Sequence, residues 1–445
     1  MPGPFNIEND LLPYQQVMVP RVSGGITPRL TGPIEFGPFT VDLSTARVFR
    51  DGHEISLRPQ VFRVLQFLIQ NPGRLIDYDE MLREAWGGSR VSKHTVAVTV
   101  NELKSVLGEY GAWITIRTGY GYSLEIPESE HLMRVGRHFR SQGTRSGLYN
   151  ALRCYEQVTT LEGANPRAWE ALANLHLDIG FLSIRPPRDA HRSFLQAYHQ
   201  AVTLGGVTRS MELGRALSLY LFESKFREAE AELLRIREAL PGLADAYVNL
   251  AVLYCMRGRT NEALEELQKA EMADVLFPRL AIAKPRVLLY CREIEAAASC
   301  ARQAVALHPN SPLTHINYGD VLDFAGDPAA LTQFHIASTI APDVPWIRAA
   351  EARCLAKYGR SSEALDILAH LQQNRNNDYV DAYHVAFLLE ALGKRDEAFQ
   401  ELERAYLERS PALAWLDLDT KSDPLRNDPR FASLRDRVFS MAVSS

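Results

Sequence analysis

The stretch ITIRTGYGYSLEI, residues 114–126, contains two short runs of alternating apolar residues that are interrupted by Gly119 and Gly121. Period-two spacing predicts two strands with one buried face, and glycine permits the backbone dihedrals of a tight connection. The stretch therefore predicts a β-hairpin with Arg117 close to its tip. The side chains expected on the buried face are Ile114, Ile116, Tyr122, Leu124 and Ile126.

Three helices are predicted ahead of the hairpin. The first begins at Pro59, because proline is favoured at the first helical position. Asp77 is expected to cap the second, which ends at Gly87. The third runs from about Ser92 to Leu107, with an apolar stripe at Val96, Val100, Leu103 and Leu107. Short alternating runs precede the first helix, so residues 34–127 are predicted to form a compact α+β domain.

The side of the third helix opposite this stripe carries small and polar groups. At 100° per residue, the outward positions are His94, Val98, Asn101 and Ser105, flanked by Ala97 and Glu102. Asparagine can make a bidentate contact with adenine, and a valine methyl group can meet the methyl group of thymine. Lys93, Lys104 and Arg117 are candidates for contacts with phosphates or a minor groove. Considered alone, this face is explained equally well as an ordinary solvated surface.

Residues 34–126 resemble the winged-helix effector domain of the OmpR/PhoB response-regulator family, including its ToxR/CadC-like and HilA-like relatives. The matching segments are LRPQVFRVLQFLIQNPGRLIDYDEMLREAWG, VSKHTVAVTVNELKSVLG and the hairpin. The resemblance implies that the third helix enters the major groove of DNA and that the hairpin is a wing reaching an adjacent minor groove. The DNA-contacting residues predicted for this chain are Lys93, His94, Thr95, Val98, Thr99, Asn101, Lys104, Arg117 and Thr118.

Three positions depart from the family pattern. Glu102 stands where an arginine is frequent, Ala97 where an aspartate is frequent, and Thr118 where the wing usually has an arginine. A carboxylate that faces phosphates is repulsive, although it can accept a hydrogen bond from a cytosine amino group. Residues 34–127 contain 10 Lys plus Arg and 11 Asp plus Glu. We therefore expect the affinity of one domain for DNA to be modest and salt-sensitive.

The remainder of the chain is predicted to be helical and repetitive. Six alanines recur every 33 or 34 residues, and bulky or small apolar residues follow each of them four positions later. This period is typical of tetratricopeptide repeats, in which paired helices stack into a solenoid. The alanines are Ala229, Ala263, Ala297, Ala330, Ala364 and Ala398, and glycines at 258, 359 and 393 stand in phase with them.

These patterns predict a multidomain chain, an α+β winged helix-turn-helix followed by an all-α tetratricopeptide solenoid. Residues 1–33 are expected to be a disordered tail, because they are rich in proline and glycine and have little periodicity. Residues 128–147 are assigned to a linker or first helix, residues 148–410 to seven or eight repeats of which the first two are irregular, and residues 411–445 to a capping segment. The 33-residue tail is too short for a phosphorylatable receiver domain, so control by aspartyl phosphorylation within this chain is not expected.

Composition excludes several other classes of protein. The 445 residues carry a formal net charge of -5, so a polyanion site has to be local. No apolar run approaches the length of a membrane span and the first residues do not resemble an export signal, which predicts a cytoplasmic protein without a membrane partner. The five cysteines show no metal-binding or redox spacing, and no catalytic motif is present, so neither a cofactor nor an enzymatic activity is expected.

The expected function is regulation of transcription. The winged helix would bind double-stranded promoter DNA, and the repeats would bind RNA polymerase or a regulatory protein, sense a signal or form a homo-oligomer. The alternative is a protein-interaction scaffold whose winged helix contacts polymerase or another protein instead of DNA. Glu102 and the near-neutral domain motivate this alternative.

Overall fold

A computed structural model describes residues 34–50, 53–88, 91–275, 277–376 and 378–440. The chain divides into two compact units at the bond between Pro127 and Glu128. The expectation that residues 1–33 are disordered lies outside the described residues.

The first unit opens with a four-stranded antiparallel sheet in the order β1-β2-β3-β4. Val41 pairs with Ile34 on one side and with Val48 on the other, and both valines are fully buried. Their side chains belong to the same hydrophobic core as the helices of the unit. The strands are β1 (Ile34–Phe36), β2 (Phe39–Asp42), β3 (Arg47–Arg50) and β4 (His53–Ile55).

Three helices follow, α1 (Pro59–Gln70), α2 (Tyr78–Trp86) and α3 (Lys93–Leu107). The predicted caps are confirmed: the Asp77 carboxylate accepts a hydrogen bond from the amide of Glu80 at 2.7 Å, and Gly87 ends α2 in the left-handed conformation. The apolar stripes of the three helices meet in one core with the sheet.

The hairpin consists of β6 (Ile114–Arg117) and β7 (Gly121–Leu124), and β5 (Ile76–Asp77) pairs with the other edge of β7. Because β7 is the central strand, all four of its residues are buried. The expectation that Ile116 lies on the buried face is wrong. It pairs with Tyr122, but it sits on the outer strand and is 47% exposed.

Gly121 is required by the close approach of β5. A Cβ atom at this position would lie 1.9 Å from the carbonyl oxygen of Ile76. The glycine therefore allows the hairpin to pack against the helical part of the unit, and the hairpin tip projects beyond it with residues 115–120 exposed.

The second unit contains eight successive pairs of antiparallel helices within the described residues. Residues 128–147, assigned from sequence to a linker or first helix, form α4 and the start of α5. The pairs are α4 (Glu128–Ser141) with α5 (Arg145–Leu161), α6 (Pro166–Phe181) with α7 (Pro187–Gly205), α8 (Arg209–Phe222) with α9 (Phe226–Ala239), α10 (Ala244–Met256) with α11 (Thr260–Ala273), α12 (Pro278–Tyr290) with α13 (Ile294–Leu307), α14 (Pro312–Phe324) with α15 (Ala330–Ile340), α16 (Pro345–Lys357) with α17 (Ser361–Gln373), and α18 (Ala382–Ala391) with α19 (Arg395–Glu408).

The six periodic alanines lie on the second helices of the last six pairs, and each is fully buried. A small side chain at this position lets the two helices of a pair approach closely. The repeat period predicted from the sequence is therefore confirmed as a solenoid of stacked helical pairs. The five cysteines are free thiols, and Cys255, Cys291 and Cys354 are buried.

The C-terminal segment consists of two 3-10 turns (Pro411–Trp415 and Thr420–Leu425) and α20 (Pro429–Ser440). Leu413, Leu416 and Leu425 are buried in a core that also contains residues of α18 and α19. The segment also reaches earlier helices. The Trp415 ring lies 5.1 Å from the Tyr290 ring of α12, and the Lys421 Nζ lies 3.0 Å from Asp320 Oδ1 of α14.

Residues near the start of the second unit contact residues near its end. The amide of Ser146 donates to Asp343 Oδ2 at 2.8 Å, and the Arg145 guanidinium donates to Asp378. The hydroxyl of Ser183, which follows α6, donates to Asp381 Oδ2 at 2.6 Å, and both groups are buried. These partners are about 200 residues apart in the sequence, so the helical pairs are joined by more than contacts between neighbours.

Among the described residues, no helix is both long and apolar enough to cross a membrane.

Candidate nucleic-acid interface

Helix α3 is held so that one face is buried and the other is open. The Ser92 hydroxyl accepts a hydrogen bond from the amide of Thr95 and caps the helix. Val96, Val100 and Leu103 are fully buried in the core of the unit. The opposite face is consequently presented to solvent.

Seven of the nine predicted contact residues have exposed side chains. Val98 is 48% exposed, which leaves its methyl groups available to a partner. The exposed members are Lys93, His94, Thr95, Val98 and Asn101 on or near the outward face of α3, and Arg117 and Thr118 on the hairpin.

Two of the predicted contact residues are placed differently. Thr99 is only 5% exposed, and its hydroxyl donates to the carbonyl oxygen of Thr95 at 2.9 Å. It faces the core because it lies three residues after Val96, within the buried stripe. Lys104 is half-buried, and its Nζ donates to the carbonyl oxygen of Ile114 at 3.0 Å. The ammonium group therefore ties α3 to the first strand of the hairpin.

Glu102 is paired inside the unit. Its Oε1 accepts a hydrogen bond from Arg58 Nε at 2.6 Å, and a second contact joins Arg58 Nη2 to Oε2. Arg58 immediately precedes α1, so a residue from another element neutralises the carboxylate that departs from the family pattern. The repulsion expected between Glu102 and phosphates is thereby reduced.

The cations at the two ends of the surface are not paired with acids. Lys93 Nζ lies 5.0 Å from the centroid of the Tyr78 ring, a cation–π contact that leaves its charge intact. Arg117 is exposed at the end of β6. Within the described part of the unit, neither side chain forms a salt bridge. The surface of a near-neutral domain is therefore locally positive.

Two residues with a potential role were missed by the sequence reasoning. Tyr120 is 69% exposed at the hairpin tip, where its amide donates to the carbonyl oxygen of Arg117 at 2.9 Å to close the turn. Its position between two turn glycines was the available signal. Arg58 gave no such signal, since its pairing with Glu102 joins residues 44 positions apart.

The hairpin is anchored at its base by Tyr122. The ring of this residue meets the Tyr78 ring at 5.5 Å in an edge-on arrangement. Burial raises the pKa of Tyr122 to about 12, and contact with Tyr78 acts in the same direction. The phenol is thus a neutral structural group, and the exposed tip supplies the charge.

No group of three or more metal-ligating side chains occurs among the residues that the structure describes. The surface offers amide, imidazole, methyl, ammonium and guanidinium groups, which are the groups used to read base edges and to contact phosphates.

Comparison with known proteins gives a family match for the first unit. Residues 52–124 match the family described as "Transcriptional regulatory protein, C terminal". The chain is 39% identical over 92 residues to the phosphate regulon transcriptional regulatory protein PhoB of Rhizobium meliloti, covering 20% of this chain and 40% of that protein. It is 32% identical over 96 residues to the transcriptional regulatory protein KdpE of Mycobacterium tuberculosis, covering 21% of this chain and 42% of that protein. The chain thus spans less than half the length of these two relatives.

A solved structure of a thermophilic TPR protein from Thermus thermophilus matches with a TM-score of 0.36 and 16% identity, covering 44% of this chain and 98% of that one. The helices of the second unit are themselves stacked in antiparallel pairs. The family match and the winged-helix geometry of the first unit agree. Residues 52–124 are an OmpR/PhoB-type domain of transcriptional regulatory proteins, and a tetratricopeptide solenoid follows them in this chain.

Proposed function

We propose that this protein is a DNA-binding transcription regulator, with α3 lying in the major groove and the hairpin in the adjacent minor groove. The single observation that carries the proposal is the open face of α3, whose Asn101 and Val98 are exposed beside unpaired cations. Asn101 is assigned to a base edge, and Arg117 to a phosphate or the minor groove. Thr99 and Lys104 are omitted from the proposed contacts because of their internal hydrogen bonds.

The repeats are proposed to bind a partner protein, RNA polymerase or a second copy of the chain, or to sense a signal. Self-association would place two winged helices on repeated half-sites and raise the effective concentration of each for its site. This would offset the modest affinity expected of a near-neutral domain.

The test is a selection of duplexes from a random DNA library with the full chain, followed by anisotropy titrations of the selected duplex. We expect a reproducible sequence motif. Arg117→Ala and Asn101→Ala should each weaken binding by about 1–3 kcal/mol. Asn101→Ala should relax the preference at the base position that α3 reads, and Arg117→Ala should leave the preference at that position unchanged, because Arg117 is assigned to a phosphate or the minor groove and not to that base edge.

Arg63→Ala is the matched control, since Arg63 is an exposed arginine on α1 that is not among the predicted contact residues. It should bind as the wild-type chain does. Equal binding by all four proteins would refute the proposed docking. Failure to select any duplex would instead favour the scaffold, in which the exposed apolar residues Val98, Ile116 and Tyr120 contact a protein.

A further inference from the structure

A cavity of about 290 Å³ lies within the second unit, between the turn that joins α8 to α9 and the C-terminal segment with α19 and α20. We refer to it as the α8–α20 cavity. Its walls are mainly apolar and aromatic, with Phe222 and Phe226 from one side and Tyr406, Leu413 and Phe439 from the other. The volume lies at the lower limit of the range found for small-molecule sites, and the mainly apolar lining is typical of them.

Most of the polar groups that line the α8–α20 cavity already have partners in the chain. The Tyr220 hydroxyl donates to Asn249 at 3.1 Å, and the Ser410 hydroxyl donates to Asp381 at 3.0 Å. Glu223, the carboxylate in the lining, is paired with Arg215 and with Lys225, whose Nζ lies 3.2 Å away. The negative charge of the Glu223 carboxylate is therefore neutralised by two cationic side chains.

Arg409 is the exception. It ends α19 in the left-handed conformation with φ of 57°, which directs the chain into the cavity wall, and its side chain is exposed. Among the described residues it forms no hydrogen bond or salt bridge through its guanidinium group. An unpaired guanidinium beside an apolar cavity suits a ligand that combines an anion with an apolar body.

We propose that the α8–α20 cavity binds a small amphipathic carboxylate, with its apolar part against the aromatic walls and its carboxylate on Arg409. The proposal goes beyond DNA binding, since it assigns a ligand class to the repeats and requires no DNA. The two walls come from parts of the chain separated by about 180 residues. A ligand that touches both walls stabilises the folded chain. At concentrations well above its Kd, the gain in the free energy of unfolding is proportional to the logarithm of the ratio of ligand concentration to Kd.

The test uses the full chain without DNA and octanoate as the probe, measured by isothermal titration calorimetry and by the shift in Tm. Octan-1-amine, which has the same chain length and the opposite charge, is the matched control ligand. We expect octanoate to bind with a Kd below about 1 mM and to raise the Tm, and octan-1-amine to do neither. Binding of both ligands with similar affinity, or of neither, would overturn the proposal.

Two variants locate the site. Arg409→Gln should weaken octanoate binding about tenfold or more, because it removes the charge-assisted hydrogen bonds to the carboxylate. Arg227→Gln, which removes an exposed arginine of α9 outside the cavity lining, should leave binding unchanged. Ala414→Phe should abolish binding by filling the cavity, and its circular dichroism should show that it remains folded. Unchanged binding by Arg409→Gln would refute the assignment of the carboxylate to this residue.

Discussion

One ion pair, between Arg58 and Glu102, sets the charge that the open face of α3 presents to a polyanion. The carboxylate of Glu102 would repel phosphates, but Arg58 holds it in a two-point contact at the start of α1. Both side chains remain partly solvent-accessible, so the pair itself contributes little to the stability of the fold. Its proposed importance is electrostatic, because each partner cancels the charge that the other would present to DNA.

A double-mutant cycle on this pair tests that role. Arg58→Ala should weaken binding of the selected duplex by about 1 kcal/mol, because it exposes an uncompensated carboxylate. Glu102→Ala should strengthen binding by a similar amount, because it frees the guanidinium group. Anisotropy titrations should place the double variant close to the wild-type chain. Weaker binding by Glu102→Ala would show that the carboxylate makes a favourable contact, such as one with a cytosine amino group.

A second prediction at the residue scale concerns His176 of α6. Burial lowers the pKa of this imidazole to about 4, and nearby Arg185 acts in the same direction. The unfolded chain, with a histidine pKa near 6.5, therefore binds more protons than the folded chain between about pH 4 and pH 6.5. The stabilising contribution is complete above that window and is lost as the pH falls through it.

The free energy of unfolding of wild-type protein should consequently fall by up to about 1.4 kcal/mol per pH unit from this one group within the window. Denaturant titrations at several pH values measure the slope. In His176→Leu the slope should be shallower by that amount, while other groups, including the buried His384, continue to contribute to it. Identical slopes for the two proteins would show that His176 is protonated as easily in the fold as outside it.

Among the elements, the turns between paired helices show how far the sequence could be read. The glycines at 258, 359 and 393 stand in phase with the alanines in the sequence, and in the structure each lies at a turn between paired helices with φ between 71° and 84°. Ser224 and Arg292 adopt positive φ at the corresponding positions, where no glycine signals the turn. The period of the alanines fixes the positions at which the chain reverses direction. At these positions Ser224 and Arg292 adopt positive φ, although this conformation is sterically unfavourable for residues other than glycine.

That cost is measurable at Gly359. A Cβ atom added there meets nothing within 4 Å, so the effect of Gly359→Ala is conformational and not a clash. The variant should be less stable by about 1 kcal/mol, as judged by denaturant unfolding. Arg292→Gly provides the reverse substitution, and we expect a change of about 0.5 kcal/mol or less, because relief of strain is offset by greater freedom of the unfolded chain. A neutral Gly359→Ala would show that the turn tolerates a side chain without strain.

The hairpin shows where sequence reasoning failed within an element. Alternation predicted a buried Ile116, but burial in a strand depends on its neighbours on both sides. The short β5 covers β7 and leaves β6 at the edge. A two-residue strand such as β5 carries too little pattern to be recognised in a sequence. The exposure of Ile116 could not be anticipated for this reason.

At the scale of the second unit, the sequence predicted a stack of neighbours and the structure adds contacts between its ends. A linear repeat array is stabilised chiefly by nearest-neighbour interfaces, so its ends open independently of its middle. Here Arg145 and Ser146 at the start of α5 bond to Asp378 and Asp343 near the end. Such pairs have no periodicity in the sequence, and only the accumulated curvature of the stacked helices brings them together.

These end contacts should couple the opening of the first helical pair to that of the last. In the variant Arg145→Ala combined with Asp343→Ala, loss of two polar contacts should cost about 2–3 kcal/mol of local stability. Hydrogen exchange measured by mass spectrometry should then speed up about 10- to 100-fold in both α4–α5 and α16–α18, because either end can open alone. Exchange in α12–α13 should be unchanged.

Arg360→Ala, which breaks a local pair with Glu363, is the matched control and should alter exchange only near α17. If the double variant affected α4–α5 alone, the ends would be adjacent but energetically independent.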